Sequence, residues 1–83
     1  MEYTLSRHAE DVIREREIPI EWLSATLSQP SRVEADADDP ELRHALRVIP
    51  EFGYRVLRVV FNETRNPCHV VTVYFDRAMK GKL

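Results

Sequence analysis

Four side chains of this sequence, His8, Arg47, Arg58 and Tyr74, have the types needed to hold a phosphate and move a proton. Two guanidinium groups converging on one phosphate grip it bidentately and offset the extra negative charge of a pentavalent transition state. A phenol and an imidazole beside them supply a proton donor and a proton acceptor. Arg43 and Thr72 extend the set as further phosphate- or RNA-binding groups. The alternative is that the arginines are solvated or paired with acids, while Tyr74 packs along a strand and His8 caps or packs at a helix start.

Strand register decides whether these residues meet. From Arg32 the hydrophobic period is two, which predicts strands near residues 32 to 35, 42 to 49, 54 to 62 and 68 to 75. Pro50-Glu51-Phe52-Gly53 reads as a turn and Asn62 to Pro67 as a loop, and both favour antiparallel neighbours. Leu57, Val59 and Phe61 share one face with Val71, Val73 and Phe75, beneath the helices. The opposite face holds Val56, Arg58, Thr72 and Tyr74. A four-residue turn adds Arg43 and Arg47 to it, so that Arg47, Arg58 and Tyr74 surround Val56. Diagonal neighbours lie about 7–8 Å apart, a gap that long side chains bridge, but a slip of one residue moves a member to the other face.

Upstream, Ser6 is an N-cap, and Ala9, Val12, Ile13 and Arg16 follow at helical spacing, which predicts a helix over residues 6 to 16. His8 stands near the positive end of its dipole as a potential base or hydrogen-bond acceptor. Arg16 reads as structural, its stem along the core and its head at the helix C-terminus. Pro19 opens a second helix with Ile20, Leu23 and Leu27 on one face, and Pro30 lies just past its end. Trp22 lies nearly opposite that face, so it covers a second surface or is exposed for a partner. The fold class is α+β: two N-terminal helices packed on one face of a four-stranded antiparallel sheet, in the order ααββββ.

A chain of 83 residues is expected to be a single domain, spanning 1–83, near the size at which one core is marginal, so dimerisation is a natural expectation. Hydrophobic residues at 43% and charged residues at 31% are globular proportions, and no run approaches the roughly 20 apolar residues that span a bilayer. The N-terminus has no long apolar segment of the export type, and a cytoplasmic location is expected. A net charge of -2 and a pI near 5.9 exclude a strongly basic nucleic-acid binder, so any such role rests on local charge. A lone cysteine, Cys68, excludes an internal disulfide. The acidic stretch Glu34 to Glu41 lacks the spacing of a calcium loop and reads as a solvated loop. The tail Arg77 to Lys82 has the opposite sign and reads as frayed, with cations able to contact nucleic acid. The reading includes no metal and no cofactor.

The order and spacing of His8-Ala9, Arg16-Glu17-Ile18, Gln29-Pro30, Arg55 to Val60 and Val71-Thr72-Val73-Tyr74 resemble the bacterial family called domain of unknown function 4258, over nearly the whole chain. Glu17 stands where that pattern has glycine, at a left-handed helix-end position. More distantly, the family is similar to toxin-like proteins of the RelE and ParE type and to metal-independent ribonucleases of the barnase and EndoU type. That resemblance implies a RelE/ParE-like fold and RNA cleavage through attack of the ribose 2′-hydroxyl. His8 and Tyr74 would be the acid-base pair and Arg47 and Arg58 the phosphate binders. It also implies RNA, a cognate antitoxin or another protein as partners. Relatives of the ParE type bind a protein target without cleaving RNA, so a non-catalytic protein-binding module is the rival expectation.

Overall fold

The computed structural model describes residues 2–83. The elements are β1 (Tyr3–Leu5), α1 (Arg7–Glu15), α2 (Ile20–Ser28), β2 (Arg32–Ala35), β3 (Leu42–Ile49), β4 (Arg55–Asn62) and β5 (Cys68–Phe75). Short 3₁₀ turns cover Pro50–Phe52 and Arg77–Met79. The strands form one sheet in the order β1-β5-β4-β3-β2. The expected four-stranded antiparallel sheet is therefore corrected to a five-stranded mixed one, because Tyr3–Leu5 pairs in parallel with Cys68–Val70. Three residues are too few to display a period of two, and their partner lies at the other end of the chain.

Ser6 links that added strand to the first helix. Its hydroxyl accepts from the Ala9 amide at 3.0 Å, the N-cap bond, and donates to the Val71 carbonyl at 2.7 Å. The start of α1 is thereby pinned to β5. At its far end α1 closes in a Schellman motif: the Ile18 amide reaches the Ile13 carbonyl at 3.0 Å and the Glu17 amide reaches that of Arg14 at 3.3 Å. Glu17 takes φ 53°, the left-handed conformation that its Cβ disfavours. Glu17→Gly is accordingly expected to stabilise the protein by about 1 kcal/mol in a urea melt. An unchanged or lowered midpoint would contradict this strain.

Both helices pack on one face of the sheet. Ala9, Ile18, Leu23 and Leu27 meet Ile49, Leu57, Val59, Val70 and Val73 in the core. Val70, not Val71, fills the core position next to Phe61, because a bulge at Val60/Phe61 shifts the register of β5. Ile20, expected beside Leu23, is exposed at the start of α2. Trp22 covers a second surface: it lies 5.6 Å from the Phe52 ring and edge-on at 6.2 Å from that of Phe75. The opposite face has its own apolar centre, since Leu46 and Val56 are fully buried there. The Asp76 amide donates to the Val56 carbonyl at 2.9 Å, and the turn Arg77–Met79 packs against β4. The tail expected to fray is thus a capped turn, with the Asp76 side chain accepting from the Ala78 amide at 3.0 Å.

Candidate functional site

The β3-β4 connection decides which arginines share a face. It runs from Pro50 to Tyr54, one residue longer than the expected turn, so Ile49 pairs with Arg55. Gly53 and Tyr54 both take left-handed φ, 64° and 60°, which accommodates the extra residue. Arg47 consequently pairs with Leu57 and Arg43 with Phe61, and both turn to the helical face. There Arg47 donates to the Gln29 carbonyl at 2.6 Å, a cation at the C-terminus of α2, and Arg43 pairs with Glu63 at 2.9 Å. The expected Arg47/Arg58/Tyr74 cluster does not form, and Arg43 and Arg47 leave the candidate site. Tyr74 does lie beside Arg58 in register, and His44 comes to the face from which Arg47 is absent.

Arg58 is engaged on all sides. Its Nε and Nη2 donate to Asp76 Oδ2 at 2.9 and 2.7 Å, and its Nη1 reaches Glu34 Oε1 at 3.3 Å and His44 Nδ1 at 2.8 Å. A guanidinium only donates, so His44 Nδ1 is the acceptor of this bond. Its Nε2–H then donates to Asp36 Oδ1 at 2.6 Å. Burial works against the charge on Arg58, but its bond to Asp76 and the nearby negative charge outweigh this and raise its pKa. Burial likewise works against ionised Glu34, yet Arg32 and Arg58 together lower its pKa. Four of its five N–H donors are committed to two carboxylates and an imidazole, so Arg58 is bound up in the structure and keeps a single Nη2–H for any further acceptor.

Asp36 anchors the outer end of this chain of bonds. The Asp39 amide, the His44 ring and the Asp38 amide bring its pKa from 3.8 down to about 2. A carboxylate lowered on folding contributes stability that is present above its unfolded pKa and is lost as the pH falls through the folded one. Stability is therefore expected to fall from about pH 4 to about pH 2 more steeply in the wild type than in Asp36→Asn, as read by acid titration of the melting midpoint. Equal slopes would mean that Asp36 carries no such linkage.

His8, Thr72 and Tyr74 meet elsewhere, in a cleft of about 800 Å³ between α1, the outer side of β5 and the C-terminal turn. The cleft exists because β1 ends opposite Val70; from Val71 to Phe75 no described strand pairs with the outer edge of β5. His8 Nε2 lies 3.1 Å from Thr72 Oγ1, which fixes the ring at the mouth. Tyr74 is the next residue on the same side of the strand, about 7 Å along it, and is exposed. Phe52, Phe75 and Val12 supply apolar lining.

Arg16, Arg55, Arg77 and Lys80 line the cleft against only two acids, Glu15 and Asp76. Among the described residues those four cations form no ion pair. The Arg55 guanidinium carbon lies 4.4 Å from the centroid of the Phe52 ring, over which it sits at cation–π distance. Local positive charge thus exists on a chain of net charge -2. Arg16 was legible only as a helix-end residue, and Arg55 carried no signal of its own. Arg77 and Lys80 were visible as tail cations but not as members of a built site.

The family model described as Domain of unknown function (DUF4258) matches residues 5–75, and the chain belongs to that family. No curated protein and no solved structure matches the chain. The matched span reaches from the end of β1 to the end of β5, and so holds His8, Arg16, Arg55, Thr72 and Tyr74 but not Arg77 and Lys80. Among the described residues no helix is long and apolar enough to cross a membrane.

Proposed function

We propose that this family member is a toxin-like, metal-independent endoribonuclease of the RelE/ParE-like kind, whose chemistry takes place in the cleft between α1 and β5. The observation that carries the reading is His8, fixed by Thr72 at 3.1 Å at the mouth of a cleft that also holds Tyr74 and four unpaired cations. In the reaction His8 takes the proton of the ribose 2′-hydroxyl. The 2′-oxygen attacks phosphorus, and the P–O5′ bond breaks. Tyr74 gives its proton to the departing 5′-oxygen, leaving a 2′,3′-cyclic phosphate and a 5′-hydroxyl. The phosphate-binding role expected of Arg47 and Arg58 passes to Arg16, Arg55, Arg77 and Lys80, whose charge offsets that of the pentavalent state. Such an enzyme would act on cytoplasmic RNA and would be restrained by a cognate antitoxin.

Incubation of the purified protein with mixed RNA in excess chelator, followed by analysis of the product ends, tests this directly. Fragments bearing 2′,3′-cyclic phosphate are expected. Intact RNA in the presence of folded protein would contradict it. The second reading, a non-catalytic protein-binding module, is favoured by one observation: among the described residues the outer edge of β5 beyond Val70 has no strand partner, and it could receive one from another chain. Trp22 adds little to that reading, since its ring is packed against Phe52 and Phe75.

A further inference from the structure

Arg58, bonded to Asp76, Glu34 and His44, has no part in the proposed chemistry, yet it is joined to the cleft by one side chain. Asp76 faces two ways. Its Oδ2 receives both Arg58 Nε at 2.9 Å and Arg58 Nη2 at 2.7 Å. Its Oδ1 receives the Ala78 amide at 3.0 Å, which caps the turn Arg77–Met79. The turn is closed further by the Met79 amide on the Asp76 carbonyl at 3.2 Å and the Lys80 amide on that of Arg77 at 3.3 Å. Arg77 and Lys80, one within the turn and one directly after it, are half of the cations that line the cleft. A terminal turn of three residues has little to order it except its cap and its packing.

We infer that Arg58 is a positioning residue, which acts through the Asp76 carboxylate to hold Arg77 and Lys80 against the cleft. Arg58 is itself braced from the far side. His44 Nδ1 accepts from it at 2.8 Å, and His44 is held by Asp36, whose other oxygen takes the Asp38 and Asp39 amides at 3.1 and 2.9 Å. A continuous run of hydrogen bonds therefore leads from the β2-β3 loop, across the open face of the sheet, to the turn that carries two of the four cleft cations. The inference rests on reading the cleft as a site for a phosphate backbone.

The test uses Arg58→Lys, which keeps the charge but not the fork, and Asp76→Asn, which keeps a cap oxygen but not the charge. Both are measured in the wild type and in an Arg77→Ala/Lys80→Ala background, with a 2′-O-methyl oligonucleotide that cannot be cleaved. Loss of two phosphate contacts flattens the slope of log affinity against log salt by roughly 1.4. That flattening is expected for each variant in the wild type, with no further change in the doubly substituted background. Unchanged slopes in the wild type, or an undiminished effect in that background, would overturn the inference. So would tighter binding by Asp76→Asn, the result if that carboxylate acted only as a repelling charge. Amide exchange at Ala78 and Lys80 reads the same coupling without any ligand. It is expected to accelerate in Arg58→Lys, and unchanged exchange would overturn the inference. A wild type that does not bind the oligonucleotide would refute the proposed function, while the exchange result would still decide whether Arg58 orders the turn.

Discussion

His8→Ala and Tyr74→Phe are each expected to lower RNA cleavage by roughly 10²–10⁴-fold, the range for loss of a general acid or base. The fold should be indifferent to both. His8 and Tyr74 are exposed, the variant at 74 keeps its ring, and surface changes of this kind alter stability by about 0.5 kcal/mol or less. The two substitutions also separate chemistry from charge, because neither removes one of the four lining cations. Oligonucleotide affinity should therefore stay near that of the wild type while turnover disappears. Thr72→Val is the milder control, since it frees the His8 ring without removing it. Full activity in both variants, with circular dichroism unchanged, would mean that the cleft is not where cleavage occurs.

Arg58→Ala acts on stability instead, and the expected loss is about 3 kcal/mol, the lower end of the range for removing one partner of a buried pair. The lower end applies because the pair is mostly but not wholly withdrawn from water, with side-chain exposures of 11% for Arg58 and 17% for Asp76. The substitution strands Asp76, leaves His44 Nδ1 without its donor and opens a gap beside Leu46, the register partner of Arg58. At about 4–8 °C per kcal/mol for a domain of this size, the melting temperature should fall by roughly 12–24 °C. Arg47→Ala is expected to do much less, since it removes a single bond to an exposed helix end. If Arg58→Ala changed stability by less than about 0.5 kcal/mol, its bonds would be those of an ordinary solvated surface pair.

The contrast between these two arginines shows what the sequence could and could not say. Local chemistry was legible. Ser6 caps α1 as its type and place indicate, Glu17 sits at the left-handed end of the Schellman motif, and β2, β3 and β5 run where the period of two puts them. Pairing across the chain was not. A tyrosine at left-handed φ lengthens the β3-β4 connection by one residue, and that slip sends Arg43 and Arg47 to the helices and brings His44 to Arg58. Nothing local distinguishes a tyrosine that will adopt φ 60° from one that will not. The bulge that exchanges Val71 for Val70 is a two-strand property and has no signature within β5.

Half of the candidate site was likewise visible. His8, Thr72 and Tyr74 were identifiable by residue type and do share one cleft, because Ser6 ties α1 to β5 and β1 ends where the cleft begins. Their cationic surroundings were not identifiable, since Arg16, Arg55, Arg77 and Lys80 come from a helix end, a strand start and a terminal turn. The one available hint was Asp76-Arg77-Ala78, an N-cap residue ahead of a short turn, which marks the tail as ordered.

NMR titration of the labelled protein with a non-cleavable 2′-O-methyl RNA shows whether an RNA backbone lies in the cleft between α1 and β5. Saturating shifts are expected at His8, Arg16, Arg55, Thr72, Tyr74 and Arg77, weakening as salt is raised, with Arg43 and Arg47 on the helical face undisturbed. Shifts confined to Arg43, Arg47 and their neighbours, or none at stoichiometric RNA, would mean that the cleft is not an RNA site.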